Sequence, residues 1–227
     1  MAETTAESTA GRADDTEQAR GTLSEMVAEM AQRTGTAMVH HDGDGWVEVS
    51  YPEAARDIDR LAGGLVGLGL EVGDAVAVFA DTRPEWVLAD LAAARAGLVV
   101  ATIYHTSSAE EAQHILENSE ARLVFCDDPE TAAKVEQVRG ELPALEHVVV
   151  FEGEAEGAVT LDDLRGRGDD VDADELRRRG EQVDPDDLFT LIYTSGTTGP
   201  AKGCMLTHRN VRTALDVMEE VVDLGDD

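Results

Sequence analysis

The chain has 227 residues, 42% of them apolar, enough to build a core for one large domain or two small ones. Its 18 basic against 48 acidic side chains give a net charge of −30, which argues against electrostatic binding of nucleic acid or anionic membranes. Two cysteines, Cys126 and Cys204, are too few for a disulfide scaffold.

The start, Met1, Ala2 and Glu3, lacks the basic opening and apolar core of a signal peptide. No apolar run approaches the ~20 residues that cross a bilayer. A cytoplasmic protein is expected. Dense carboxylates with few lysines suit a very salty cytoplasm, where self-repulsion is screened, so a halophilic protein is expected.

Residues 1–20 are small, polar and acidic and read as a disordered tail. Leu23, Met26, Val27 and Met30 recur at helical spacing and predict a short helix. His40 and His41 stand beside Asp42 and Asp44; on an acidic turn they are expected to be solvated rather than to hold a metal. Trp46 to Tyr51 alternates as a strand, and Pro52 opens a helix with Ile58, Leu61, Leu65 and Leu68 on one face. Gly63, Gly64 and Gly67 weaken that helix but permit close packing, and Gly69 should stop it.

Strands and helices then alternate. A strand is predicted over 75–79. A helix starts around Thr82, Arg83 and Pro84 and runs to about Ala96, where Gly97 ends it. A strand follows over 98–101. Ser107 and Ser108 with Glu110 and Glu111 then begin a helix, hydroxyls capping it and acids suiting its dipole. Another strand covers 123–126, Asp128 and Pro129 open a helix to about Arg139, and a further strand covers 148–151. Short strands alternating with longer helices imply an α/β fold, a mostly parallel sheet flanked by helices with right-handed crossovers. Residues 152–187 are mainly acids, glycines and arginines. Leu161 and Leu164 anchor one short helix and Leu176 another; the rest reads as a surface excursion, with Arg177, Arg178 and Arg179 on a solvated face.

Leu188, Phe189, Leu191, Ile192 and Tyr193 make an apolar strand that runs into Thr194, Ser195, Gly196, Thr197, Thr198, Gly199, Pro200, Ala201, Lys202 and Gly203. Such a loop suits phosphate. Glycines let backbone N–H groups approach an anion, hydroxyls add donors, and Lys202 adds a mobile charge. Lys202 is one of two lysines, the other being Lys134. The alternative is an ordinary flexible surface loop. The loop departs from the common P-loop, which needs Gly before the lysine and Ser or Thr after it; here Ala201 and Gly203 stand there. Met205, Leu206 and Thr207 predict a strand, so no helix N-terminus follows directly. Thr207 or His208 should cap a helix towards Val222, with Leu215, Met218 and Val222 on its apolar face. Cys126 is expected in the core and Cys204 packed beside the loop, neither being catalytic. His208 is left open as a base.

Tyr193 to Gly199, followed by Lys202 and Gly203, resembles the phosphate-loop signature of the adenylate-forming superfamily, which includes acyl-CoA synthetases, luciferases and peptide-synthetase adenylation domains. The continuation Gly203, Cys204, Met205, Leu206, Thr207, His208, Arg209, Asn210 is most similar to long-chain fatty acyl-CoA ligases. That family has Pro directly before the lysine, where this chain has Ala201; the Gly199-to-Lys202 spacing is kept. Gly73 with Asp74, the helix start Pro84, Glu85 and Trp86, and the segment Tyr104, His105, Thr106, Ser107 and Ser108 also match, so the resemblance spans residues 47–210.

The resemblance implies the N-terminal part of the large domain of an adenylate-forming enzyme. Its activity would be ATP-dependent activation of a fatty acid to acyl-adenylate and then acyl-CoA, with Mg²⁺ and with CoA as co-substrate. Thr194, Ser195, Gly196, Thr197, Thr198, Gly199 and Lys202 would hold the ATP phosphates. The family's aromatic-x-x-Thr-Glu segment for Mg²⁺, its ribose-binding Asp and its C-terminal domain with a catalytic lysine find no match. Residues 21–227 are therefore expected to be an incomplete AMP-binding domain. They would hold neither catalytic nor metal-ligating residues, and would be inactive without the missing C-terminal part of the same enzyme. The alternatives are a ligase for aryl, short-chain or amino acids, and a non-catalytic acidic binding module.

Overall fold

Apolar runs too short to be helices, many of them buried on both faces, hydrogen-bond side by side into a seven-stranded sheet. The computed structural model describes residues 21–194 and 200–221, apart from the side chains of residues 219 and 220. The strands are β1 (Thr36–His41), β2 (Trp46–Ser50), β3 (Ala75–Ala80), β4 (Val99–Tyr104), β5 (Leu123–Cys126), β6 (His147–Val150), β7 (Val159–Thr160), β8 (Leu188–Thr194) and β9 (Lys202–Thr207). The helices are α1 (Leu23–Met30), α2 (Tyr51–Gly67), α3 (Pro84–Ala96), α4 (Ala109–Asn118), α5 (Pro129–Val138), α6 (Leu161–Gly168), α7 (Ala173–Gly180) and α8 (His208–Val221). The main sheet runs β7-β6-β5-β3-β4-β8-β9. All its pairs are parallel except the antiparallel β8–β9 hairpin. This is the expected α/β architecture.

Alternation along each strand splits the core. Val76, Val78, Val100 and Phe125 face one side and pack with α2, α3 and α6. Ala77, Phe79, Ala101 and Val124 face the other and pack with Ala112, Ile115 and Leu116 of α4 and Val135 of α5. Burying one such Leu, Val, Ile or Phe stabilises by about 1.5–3 kcal/mol. The order of strands matters for function. The chain steps from β3 to β4 in one direction, then crosses back over β3 to reach β5. So α3 and α4 cover opposite faces, and a crevice opens beyond the C-terminal ends of β3 and β4. The end of β8 lies next to it, because β8 pairs with β4.

Several expectations need correction. His40 and His41 lie in β1, paired with Val47 and Trp46 of β2, and not on the turn. The alternation of β1 was masked by that histidine pair. β4 continues past Ala101 to Tyr104. Residues 152–187 are not merely a surface excursion: α6 seats against α2 at the glycines that the sequence marked for close packing. A Cβ on Gly64 would stand 2.2 Å from the Leu164 carbonyl oxygen, and one on Gly63 would stand 2.9 Å from the Gly168 backbone. Arg179 is buried, donating to the Leu70 carbonyl at 2.8 Å and to Glu175 at 2.9 Å, whereas Arg177 and Arg178 are solvated as expected. Cys204 is exposed on β9 rather than packed, while Cys126 is buried and its thiol is pushed up to about 12 by desolvation. The face of α8 that carries Leu215 and Met218 is exposed. Residues 1–20 and Val222 lie outside the described residues.

Candidate functional site

The β8–β9 hairpin grows out of the sheet beside the crevice. The Thr190 hydroxyl donates to the Val100 carbonyl at 2.9 Å and fixes β8 to β4. Thr194 and Lys202 then face each other as the last cross-strand pair. Both side chains are exposed at the end of the sheet. Ser195, Gly196, Thr197, Thr198 and Gly199 lie outside the described residues, so of the predicted phosphate-binding set the structure places Thr194 and Lys202, and brings those two together.

Beneath this pair the hairpin is braced. Tyr193 is buried, and desolvation raises its pKa above the ordinary tyrosine value. Its hydroxyl donates to Asn118 Oδ1 at 2.7 Å. Directly opposite is Gly203, and a Cβ there would come within 3.2 Å of the Tyr193 ring. Glycine lets the ring lie close over position 203; a Cβ there would push the ring by a few tenths of an ångström. Just before the outgoing strand, His114 Nε2 stands 2.8 Å from the Ala201 carbonyl oxygen. A carbonyl only accepts, so Nε2 carries the proton. The His114 ring also meets Tyr193 edge-on, 6.5 Å between centroids.

A cavity of about 660 Å³ opens between α4 and the hairpin, lined among others by Tyr104, Glu111, His114, Tyr193, Thr194 and Ala201. Ser108 caps α4 and is answered by Glu111, whose carboxylate accepts the Ser108 N–H at 2.9 Å. Lys134 reaches across from α5. Its Nζ donates to the Ser107 carbonyl at 3.3 Å and lies 5.5 Å over the Phe79 ring. The second lysine of the chain thus holds the connection before α4. On the opposite face is a smaller hollow of about 210 Å³, with Asp81, Thr82, Trp86, His105 and Ile192 on its walls. Tyr104, 73% exposed, borders both hollows. Arg83 secures the rim beside Asp81, donating to Glu85 at 2.8 Å and to Asp127 at 2.7 Å.

Sequence reasoning missed His114 and Asn118. They stand four apart and so share one face of α4, but nothing local says that this face meets the hairpin. His208 is a candidate base by its residue type. It is buried away from both hollows, its Nδ1 accepts the Leu23 N–H at 3.2 Å, and burial lowers its pKa. Its position makes it a tie between α1 and α8. Among the described residues no three His, Cys, Asp or Glu side chains converge to hold a metal ion, and no helix is long and apolar enough to cross a membrane.

Residues 27–227 match the protein family described as AMP-binding enzyme. The long-chain-fatty-acid–CoA ligase FadD15 of Mycobacterium bovis is 42% identical over 166 residues, which cover 73% of this chain and 27% of that protein. Among solved structures, the N-terminal domain of FACL13 from Mycobacterium tuberculosis aligns with a TM-score of 0.73 at 25% identity, over 90% of this chain and 49% of that one. The anthranilate CoA ligase AuaEII in complex with anthranoyl-AMP aligns with a TM-score of 0.71 at 26% identity, over 84% of this chain and 35% of that one. The chain spans about a quarter of the length of the curated relatives it matches.

Proposed function

This chain belongs to the AMP-binding enzyme family, and from that membership we propose that it serves the ATP-dependent activation of a fatty acid, by way of an acyl-adenylate, to acyl-CoA. The observation that carries the reading is the β8–β9 hairpin. It sets Lys202 against Thr194 at the C-terminal end of a parallel strand, beside the crevice of the sheet. The FadD15 relatives, named as long-chain-fatty-acid–CoA ligases, support fatty acid as the substrate. AuaEII, solved with anthranoyl-AMP, supports adenylate formation on this fold.

In this reading the substrate carboxylate attacks the α-phosphate of ATP, an acyl-adenylate forms, and pyrophosphate leaves. The CoA thiol then displaces AMP. The work of this chain lies in the first half. Lys202 places its ammonium on the leaving polyphosphate, and Thr194 offers a hydroxyl from the facing strand. Ser195, Gly196, Thr197, Thr198 and Gly199 would add hydroxyl and backbone donors to the same oxygens. Donors fixed before the reaction stabilise charge as it develops without reorganising, and each contributes on the order of 2–4 kcal/mol. Magnesium would neutralise polyphosphate charge; among the described residues no three His, Cys, Asp or Glu side chains converge to hold it.

The two lysines provide the test. Acetylation by a water-soluble anhydride, mapped by mass spectrometry, reports Lys202 with Lys134 as internal reference. MgATP should slow modification of Lys202 several-fold and leave Lys134 unchanged. Equal rates with and without MgATP at millimolar concentration refute the phosphate role.

A further inference from the structure

We propose that His114 and Asn118 are positioning residues, a two-point clamp by which α4 sets the phosphate-binding hairpin. The proposal rests on the phosphate reading above and adds the residues that place the loop. His114 and Asn118 lie one helical turn apart on one face of α4. Asn118 receives the Tyr193 hydroxyl at 2.7 Å, on the strand entering the loop. His114 donates to the Ala201 carbonyl at 2.8 Å, just before the strand leaving it. The two contacts grip the chain immediately before Thr194 and immediately before Lys202. Both ends of the loop are thereby referred to a single rigid element.

The neighbouring groups fit this role. α4 is fixed at its start by the reciprocal Ser108 and Glu111 cap and packs its buried face, Ala112, Ile115 and Leu116, into the core. The clamp therefore has a firm base. The Tyr193 ring packs over Gly203, where a Cβ would come within 3.2 Å of it. The edge of His114 against Tyr193 joins the two grips into one packed unit. Without His114, the Ala201 carbonyl would lose its donor at the rim of the cavity, and the backbone could turn it elsewhere. Lys202 is the next residue. A small backbone rotation at 201 would move a long side chain off its target, and misplacement by about 1 Å can cost on the order of a hundredfold in rate.

The test uses the 227-residue protein, with magnesium pyrophosphate as the probe and calorimetry as the readout. His114→Ala should weaken pyrophosphate binding about five- to tenfold, the scale of one lost hydrogen bond that orders a charged contact. His114→Gln keeps a side-chain N–H donor and should recover binding to within about threefold of wild type, whereas a general loss of packing would not be rescued. Asn118→Asp keeps the acceptor for Tyr193 and should bind like wild type; Asn118→Leu should not. Hydrogen exchange at Lys202 and Gly203 gives a second readout without ligand: faster in His114→Ala, unchanged in His114→Gln. Wild type that binds no pyrophosphate overturns the phosphate reading, and exchange then judges the clamp alone. Unchanged binding in His114→Ala beside a wild type that binds, or unchanged exchange at Lys202, overturns the clamp.

Discussion

Gly64 and Gly67 sit three residues apart on α2, and alanine should have opposite effects at the two positions. In a helix, Gly→Ala is worth up to about 1 kcal/mol of stability through backbone entropy and propensity. At position 67 nothing opposes that gain, since a new Cβ would lie 3.7 Å from its nearest neighbours, Arg167 Cβ and O. Position 67 is the last residue of the helix, so the gain should be a few tenths of a kcal/mol up to about 1. At position 64 the new Cβ would stand 2.2 Å from the Leu164 carbonyl oxygen and 2.8 Å from its side chain. The obstacle is backbone, so α6 itself must retreat by more than ~1 Å. Overpacking costs about 1–3 kcal/mol. Retreat also loosens Leu161 and Leu164, each worth about 1.5–3 kcal/mol when fully buried. After the propensity gain, Gly64→Ala should lose about 2 kcal/mol net, a fall of roughly 4–8 °C in Tm for a domain of this size. Urea denaturation followed by circular dichroism measures both variants. A Gly64→Ala protein as stable as wild type would mean that α2 and α6 do not approach as closely as described.

Two titrations should pull stability in opposite directions. Burial holds His208 below its ordinary 6.5, so the unfolded chain binds that proton more readily. Its contribution is complete above about pH 6.5 and is lost as pH falls through the lower folded value; His208→Gln should flatten the stability profile between pH 7 and 5, and an unchanged slope would place the effect elsewhere. Asp90, half-buried on α3, is pushed up from 3.8 to about 7 by desolvation. Its contribution is greatest in acid and is lost as pH rises towards 7, so Asp90→Asn should stabilise at pH 8 and much less at pH 5. Each pKa unit is about 1.4 kcal/mol, which bounds the gain at about 4 kcal/mol. Equal effects at the two pH values would show that Asp90 is not desolvated.

Much of this architecture was legible because local and global signals agree. Apolar runs bounded by turn residues mark β3, β5 and β6, and Ser108 and Asp128 mark helix starts. Position 64 is legible in part: glycines in a helix announce a close approach but not the partner. The misses have one physical character. Arg179 is indistinguishable by sequence from Arg177 and Arg178, and is buried only because Leu70 and Glu175 supply its partners. β1 hides behind two histidines, and Cys204 is exposed beside the equally exposed Met205 on β9, a lack of cover that residue type does not announce. At the site the motif residues were readable, since their types state their chemistry. His114 and Asn118 were not, because their role exists only once α4 is laid against β8 and β9.

Charge decides how the whole molecule should respond to salt. The arginines are already shared among carboxylates: Arg83 meets Glu85, Asp127 and Glu152, Arg165 meets Asp57 and Asp162, and Arg122 meets Asp74 and Glu146. With 48 acids against 18 bases, carboxylates far outnumber the bases that could pair with them. Added salt screens both kinds of interaction, shortening the Debye length from about 10 Å at 0.1 M to about 3 Å at 1 M. What it removes from the attractive side is small, since an exposed pair contributes about 0–1 kcal/mol. The arginine contacts at 2.6–2.9 Å are also close enough to survive screening, while repulsion summed over a net −30 acts over longer distances and does not. Screening should therefore remove more repulsion than attraction, and Tm should climb as KCl is raised from 0.1 to 2 M. A flat or falling Tm over that range would mean that the ion pairs, and not the surplus of carboxylates, set the electrostatic balance of the fold.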